Sequence, residues 1–278
     1  MNAGYATVVE NARVYGDTYV TWFHAPELGR GAYPGQFLML RCSDDAAYGS
    51  EACAGHADDP LLPRPMSYHR VCVGAHGPEW AILYEVVGRG TAWLAARRPG
   101  DRVYGWGPLG RGYHVGRGSR NLLLVAGGIG VAPLVWLADD AVARGLNVTI
   151  IIGARSAAHV FPSALLPKEV EVVVTTDDGS AGRAGFVTEP FAELLEWCDQ
   201  AFACGPNAMF AAMATVARTA GVRRSVQVLL EERMACGTGL CYGCAVEVRV
   251  RGRTARLGGR SMKLVCKDGP RFDVRDVW

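Results

Sequence analysis

A chain of 278 residues, half of them hydrophobic, has enough apolar material for two domains and a small appendage. Its formal charge of +2 argues against nucleic acid or an anionic membrane surface as a partner, and no apolar run approaches membrane-spanning length. The nine cysteines follow no basic, apolar leader; four share one motif and Cys42, Cys53, Cys72, Cys198 and Cys204 show no pairing pattern, which points to a reducing, cytoplasmic setting.

Residues 5–106 consist of short β-branched and aromatic runs divided by Gly/Pro turns. Strands are predicted at 6–10, 19–23, 36–41, 68–73, 80–87 and 102–106, with helix only near 91–97, a pattern for a small antiparallel barrel or sandwich. In Arg64-Pro65-Met66-Ser67-Tyr68 the arginine fork suits a phosphate, the proline sets the start of a strand, and the serine hydroxyl is placed for a ring nitrogen. The same residues also suit a plain edge strand. In Val86-Val87-Gly88-Arg89-Gly90-Thr91 a strand ends in glycines and a threonine, either to offer backbone N–H groups to a pyrophosphate or simply to turn. The Asp/Ala/Gly-rich stretch 43–60 reads as a surface loop, its Cys53 and His56 lacking any metal-site spacing.

After Gly116-Arg117-Gly118-Ser119-Arg120 the pattern changes. Apolar strands at 121–126, 147–152, 169–175, 200–204 and 225–230 alternate with helices at 131–144, 187–197 and 207–220, which predicts a doubly wound parallel sheet. The first strand runs into Gly127-Gly128-Ile129-Gly130-Val131-Ala132-Pro133, a glycine turn where a dinucleotide can approach a helix N-terminus, or one needed only for packing. Cys204-Gly205-Pro206 lies at another strand end, the cysteine facing a nicotinamide or serving as a small buried thiol. Asp177 and Asp178 after the third strand would repel a 2′-phosphate and favour NAD over NADP, with Arg155 and Arg183 as the nearby charges that oppose this.

Four cysteines then follow in the spacing C-x4-C-x2-C-x21-C: Cys236, Cys241, Cys244 and Cys266. Three ligands on one loop and a fourth from a distance is the plant-type arrangement for a [2Fe-2S] cluster, whereas four-cysteine zinc sites usually use two separated pairs. Gly237, Gly239 and Gly243 leave room for backbone N–H groups to approach sulfur. From residue 245 onward nine Lys/Arg face four acids, so the tail is basic; it reads either as a partner-steering patch or as a solvated hairpin, 246–250 turning at Arg251-Gly252-Arg253.

Taken together, Arg64–Ser67, Gly88–Thr91, Gly127–Pro133 with Cys204–Pro206, and above all Leu230-Glu231-Glu232-Arg233-Met234-Ala235-Cys236 with its cysteine loop make the chain resemble the electron-transfer subunits of class 1B dihydroorotate dehydrogenases, within the ferredoxin–NADP reductase superfamily. The resemblance implies an antiparallel FAD-binding β-barrel (1–115), an NAD-binding α/β domain (116–226) and a small iron–sulfur domain (227–278). It places Arg64, Pro65, Met66 and Ser67 at the flavin, Gly88, Gly90 and Thr91 at its pyrophosphate, Gly128, Gly130 and Pro133 at the nicotinamide nucleotide, and Cys204 near the reacting ring. It also implies a partner, the FMN-containing catalytic subunit, in a heterotetramer with two of each chain. Related subunits of sulfite reductases, hydrogenases and transhydrogenases share these motifs, and a zinc-stabilised binding protein is the alternative without redox chemistry.

Overall fold

The computed structural model describes residues 1–43, 60–74, 77–221, 224–249 and 259–278. The loop with Cys53 and His56 and the turn at Arg251-Gly252-Arg253 lie outside the described residues. Among the described residues no helix is long and apolar enough to cross a membrane.

The first third forms one antiparallel sheet from β1 (Asn2–Tyr15), β2 (Thr18–His24), β3 (Phe37–Leu40), β4 (Arg64–Ser67), β5 (Arg70–Gly74), β6 (Gly77–Glu85) and β7 (Arg102–Leu109), with short helices α1 (Pro26–Gly29) and α2 (Arg89–Ala95). Its order is β4-β3-β7-β1-β2-β6-β5. The two edge strands, β4 and β5, are halves of one chain segment that bends at Tyr68 and His69. The Tyr68 N–H donates to the Gln36 carbonyl beside β3, and the His69 N–H donates to the Ala81 carbonyl of β6, so this bend closes the sheet on itself. The sequence pattern places one strand at 68–73; the structure begins that strand at Arg70 and adds β4 before it, because Arg64–Ser67 pair with β3 while Arg70–Gly74 pair with β6. Alternate residues of β6 and β7, among them Trp80, Ile82, Tyr84 and Val103, fill the interior with Phe23, Leu38 and Leu40.

The remainder comprises α3 (Ala132–Ala143), α4 (Thr188–Leu194), α5 (Asn207–Thr219) and α6 (Val274–Val277), with β8 (Asn121–Gly127), β9 (Asn147–Ala154), β10 (Glu171–Thr176), β11 (Arg183–Ala184), β12 (Gln200–Cys204), β13 (Val226–Leu229), β14 (Ala245–Arg249), β15 (Arg260–Leu264) and β16 (Arg271–Asp273). The second sheet has the order β11-β10-β9-β8-β12-β13-β16 and is parallel except for β16. Both of its faces are covered, which is why its strands read as unbroken apolar runs. Leu122, Leu124 and Ala126 of β8 pack with α3, while Leu123 and Val125 pack with α4 and α5.

Strands β14 and β15 form a separate antiparallel pair beside the cysteine loop. The last residues then leave that loop: β16 pairs antiparallel with β13, and the Trp278 ring lies 5.5 Å from Phe210 of α5. The segment 270–278 therefore covers the open edge of the second sheet, and a division at 226/227 passes through β13.

The two sheets are fastened by polar contacts. Arg70 pairs with Asp139 of α3 at 2.6 Å and reaches the Leu165 carbonyl; the Tyr113 hydroxyl donates to the Ala203 carbonyl at 3.0 Å; Gln227 accepts from the His114 N–H and donates to its carbonyl. At the barrel-closing bend, a His69 ring nitrogen lies 2.9 Å from the Ala132 carbonyl at the start of α3.

Burial pushes His69 down to about 4 against the Ala132 hydrogen bond, with Arg70 adding to the depression. The unfolded chain then binds a proton that the folded chain refuses between pH 6.5 and 4, so stability is complete above that window and is lost as pH falls through it. This one group accounts for roughly 3 kcal/mol across the window. His69→Asn, which keeps an N–H donor, is expected to show a shallower loss of stability than the unsubstituted chain between pH 7 and 4.5 in urea denaturation. Equal slopes would remove His69 as the titrating group.

Candidate functional site

Two cavities of similar size meet at the junction of the sheets. The first, about 640 Å³, is walled by Phe37, all of β4, Leu83–Glu85, Val87 and Thr91 from the barrel. Its opposite wall comes from Ile129, Ala132, Pro133, Cys204 and the run Leu229–Met234. Its size and mixed lining suit a large planar cofactor. The Arg64 side chain reaches from β4 to the first turn of α2, where a Cβ on Gly90 would sit 2.6 Å from its Nε, so glycine lets the guanidinium lie there. Thr91 is engaged internally: its hydroxyl accepts from the Val87 and Gly88 N–H groups and donates to the Gly88 carbonyl. That fixes the turn, and leaves the first-turn N–H groups of α2, rather than the Thr91 hydroxyl, as the donors for a phosphate. The residues present fit a flavin dinucleotide: a cationic fork, the turn side chains Val87 and Thr91 and an apolar slot converge on one cavity, whereas Gly88 and Gly90 do not line it.

Cys204 and Glu231 form the floor. Cys204 is 1% exposed and its thiol donates to Glu231 Oε1 at 3.5 Å. Burial pushes the Cys204 thiol well above its ordinary value, and the neighbouring Glu231 raises it further. Glu231 is itself raised by burial, with the Cys204 hydrogen bond pulling the other way. At neutral pH Cys204 is therefore a thiol and unsuited to nucleophilic attack; with its proton given to Glu231, what it offers the cavity is shape and a polarisable sulfur.

The second cavity, about 670 Å³, opens at the carboxyl ends of β8, β9 and β10, the usual ligand position in an open α/β sheet. Gly127, Gly128, Gly153, Ala154, Arg155, Thr175, Asp177, Phe186 and the first turn of α5 line it. Gly128 has φ 55° and open space where a Cβ would stand, so this turn faces the cavity. Gly130 does a different job: a Cβ there would collide with the Cys204 carbonyl, and Gly130 lines neither cavity. Pro133 faces the first cavity, not the second. Of the paired carboxylates, Asp177 lines the cavity while Asp178 accepts from the Ser180 N–H and hydroxyl and shapes the turn. Arg155 lies 3.7 Å from Glu85 and Arg183 lies 2.7 Å from Glu193, so each carries a neutralising partner. Glu85 and Ile129 border both cavities.

The cysteine loop begins two residues after Met234, the last of the first cavity's wall. Gly237 has φ 69°, and a Cβ on it would lie 2.6 Å from Met39 Cγ, so the loop packs directly on β3. Trp106 Nε1 donates to the Cys236 carbonyl at 3.0 Å and ties the loop to β7. Cys236 Sγ accepts from the Thr238 and Cys241 N–H groups, and Cys244 Sγ accepts from the Cys266 N–H. Burial would raise Cys236, but these N–H groups outweigh it and bring the thiol down to about 6, within reach of the thiolate that iron requires. Backbone bonds thus tie Cys241 to Cys236 and Cys266 to Cys244. Among the described residues no three metal-binding side chains gather about one point. Four cysteines, three of them on one loop, make up the donor set that a [2Fe-2S] cluster takes, two thiolates on each iron.

Sequence reasoning gave no individual role to Glu231, Glu85, Trp106 or Thr175. Glu231 carried a readable signal, a carboxylate directly following the apolar run of β13 and preceding the cysteine loop. The other three become visible only when distant segments meet.

The family described as the iron–sulfur cluster binding domain of dihydroorotate dehydrogenase B matches residues 231–278. The chain is 38% identical over 259 residues, 92% of its length and 90% of the relative, to the dihydroorotate dehydrogenase B (NAD(+)) electron transfer subunit of Desulforamulus reducens. It is 40% identical to the subunit of the same name from Bacillus caldolyticus, over 88% of this chain and 86% of that one. Among solved structures, an NADH-dependent reduced ferredoxin-NADP oxidoreductase described for flavin-based electron bifurcation superposes with a TM-score of 0.75 at 28% identity, covering 98% of this chain and 89% of that one. A ferredoxin reductase of carbazole 1,9a-dioxygenase shares the fold, with a TM-score of 0.62 at 21% identity over 80% of this chain and 67% of its own.

Cys266→Ser removes the thiol of the fourth cysteine without touching either cavity. Purified anaerobically, the variant is expected to keep its flavin and to lose the reduced-cluster EPR signal. A normal signal would mean that the fourth ligand lies elsewhere.

Proposed function

This chain belongs to the family of dihydroorotate dehydrogenase B electron transfer subunits, and on that premise we propose that it is an NAD-linked diaphorase which exchanges electrons with an FMN-containing catalytic subunit during orotate formation. One observation carries the reading: a single run, Leu229–Met234, walls the first cavity and delivers the chain into the cysteine loop, while Glu85 and Ile129 join that cavity to the second. The first cavity holds FAD, the second NAD, and the loop a [2Fe-2S] cluster. A bound flavin supplies the conversion between a two-electron hydride and the single electrons a two-iron cluster accepts.

The chain's own residues provide position and environment. Arg64 and the start of α2 hold phosphate, β4 offers Ser67 to the ring, and Cys204 over Glu231 sets the floor beneath it. Asp177 receives the adenosine ribose and repels a 2′-phosphate, while Arg155 and Arg183 remain occupied by Glu85 and Glu193. The cytoplasm is the compartment that suits four reduced thiols. We assign the assembly as two electron-transfer chains with two catalytic chains.

The exposed side of the cluster loop is the docking face. Leu240 is 82% exposed and Tyr242 69%, on either side of the exposed Cys241, and Met262 on β15 is 60% exposed. Large apolar groups held open beside a redox centre suit a protein partner. Lys263 and Lys267 lie on or just beyond β15, where they would steer association.

The purified subunit is expected to pass electrons from NADH to an artificial acceptor and to show no turnover with dihydroorotate until the catalytic subunit is added. Dihydroorotate oxidation by the subunit alone would overturn this. NADH should exceed NADPH in kcat/KM by at least about tenfold, a difference of about 1.4 kcal/mol. Comparable values would remove Asp177 as a selector. Leu240→Glu with Tyr242→Ala should cut coupled turnover and leave diaphorase activity intact; unaltered coupling would place the docking face elsewhere.

A further inference from the structure

Thr175 stands out in the second cavity. Its side chain is 2% exposed, and among the described residues its hydroxyl has no hydrogen-bond partner. A buried hydroxyl left unsatisfied costs about 1–3 kcal/mol, a cost that valine, with the same shape and β-branching, would avoid. The hydroxyl also has a direction. Position 153 in the neighbouring strand is glycine, and a Cβ there would lie 3.3 Å from Thr175 Oγ1, so the hydroxyl lies over Gly153, which itself lines the cavity.

The chain has nearby means of satisfying a threonine here and uses them for Thr176 instead. The Thr176 hydroxyl donates to the Ala181 carbonyl and accepts from the Ala181 N–H, which fixes the turn beyond β10. Thr175 is left facing the cavity two residues before Asp177, on the same side of the chain by strand alternation. Resting on the assignment of this cavity to the nicotinamide dinucleotide, we propose that Thr175 is a dinucleotide-binding residue whose hydroxyl hydrogen-bonds the adenosine ribose beside Asp177. Binding then satisfies a group that folding leaves unsatisfied, so the residue trades stability of the free protein for affinity.

The holoprotein, with flavin and cluster in place, is titrated with ADP-ribose and with NADH in three variants. Thr175→Val should weaken ADP-ribose binding about five- to tenfold, the loss of one neutral hydrogen bond. It should raise the KM for NADH with little change in kcat, and leave the ligand-free melting temperature unchanged or higher. Thr175→Ser, which keeps the hydroxyl, should bind as the unsubstituted protein does. Ala208→Trp, at an exposed position on the cavity rim, should block both ligands. If Ala208→Trp blocks binding but Thr175→Val binds normally, the hydroxyl is satisfied by trapped water and the proposal fails. Serine and valine losing affinity alike, or valine lowering the ligand-free melting temperature, would make Thr175 a packing residue and equally overturn it. Normal binding in Ala208→Trp as well would show that the cavity is not the dinucleotide site.

Discussion

Electron carriers must lie close together, and in this chain closeness depends on a six-residue run, Leu229–Met234. Leu229 ends β13 in the parallel sheet, Glu231 lines the first cavity against Cys204, Met234 closes its wall, and Cys236 follows as the first cysteine of the loop. No linker separates these duties. The run can serve all three only if its neighbours hold it from every side: β12 on one edge of β13, β16 on the other, and the barrel through Trp106 and Met39 where the cysteine loop begins. The return of the last strand to the second sheet follows from this, because an unpaired β13 edge would leave the wall of the cavity hanging from one side.

The price of such a junction is polar burial. Cys204, Glu231 and the Tyr113 hydroxyl lie together with little solvent, and burial raises the proton affinity of each. These groups stay uncharged more readily than they would in water, which lowers the cost of burial and keeps this side of the first cavity neutral. The same economy appears at His69, whose ring is kept neutral where the barrel-closing bend meets α3.

How much of this was legible in the sequence followed how local each feature is. The iron–sulfur domain reads directly because three of its four cysteines share one loop, and the β-then-α/β order reads from periodicity. The break between β4 and β5 was not legible, since its cause lies in the carbonyls of Gln36 and Ala81, distant from the bend in sequence and from each other. Gly130 looked like a nucleotide-binding glycine, yet what demands glycine there is the backbone of Cys204 more than seventy residues later. Strand β16 is three residues long, too short for periodicity to show. Glu231 lay within a stretch already marked as distinctive, but its role needs the thiol it meets across the first cavity's floor.

The central claim is that the first cavity, with its flavin, is the sole route between the second cavity and the cysteine loop. The most direct measurement adds NADH anaerobically to the holoprotein and to protein stripped of flavin but retaining its cluster, and follows the reduced-cluster EPR signal in both. The account predicts that the signal develops rapidly with flavin present and is absent without it. A cluster reduced by NADH at the same rate in the flavin-free protein, or a colourless chain carrying one zinc in the cysteine loop, would contradict it.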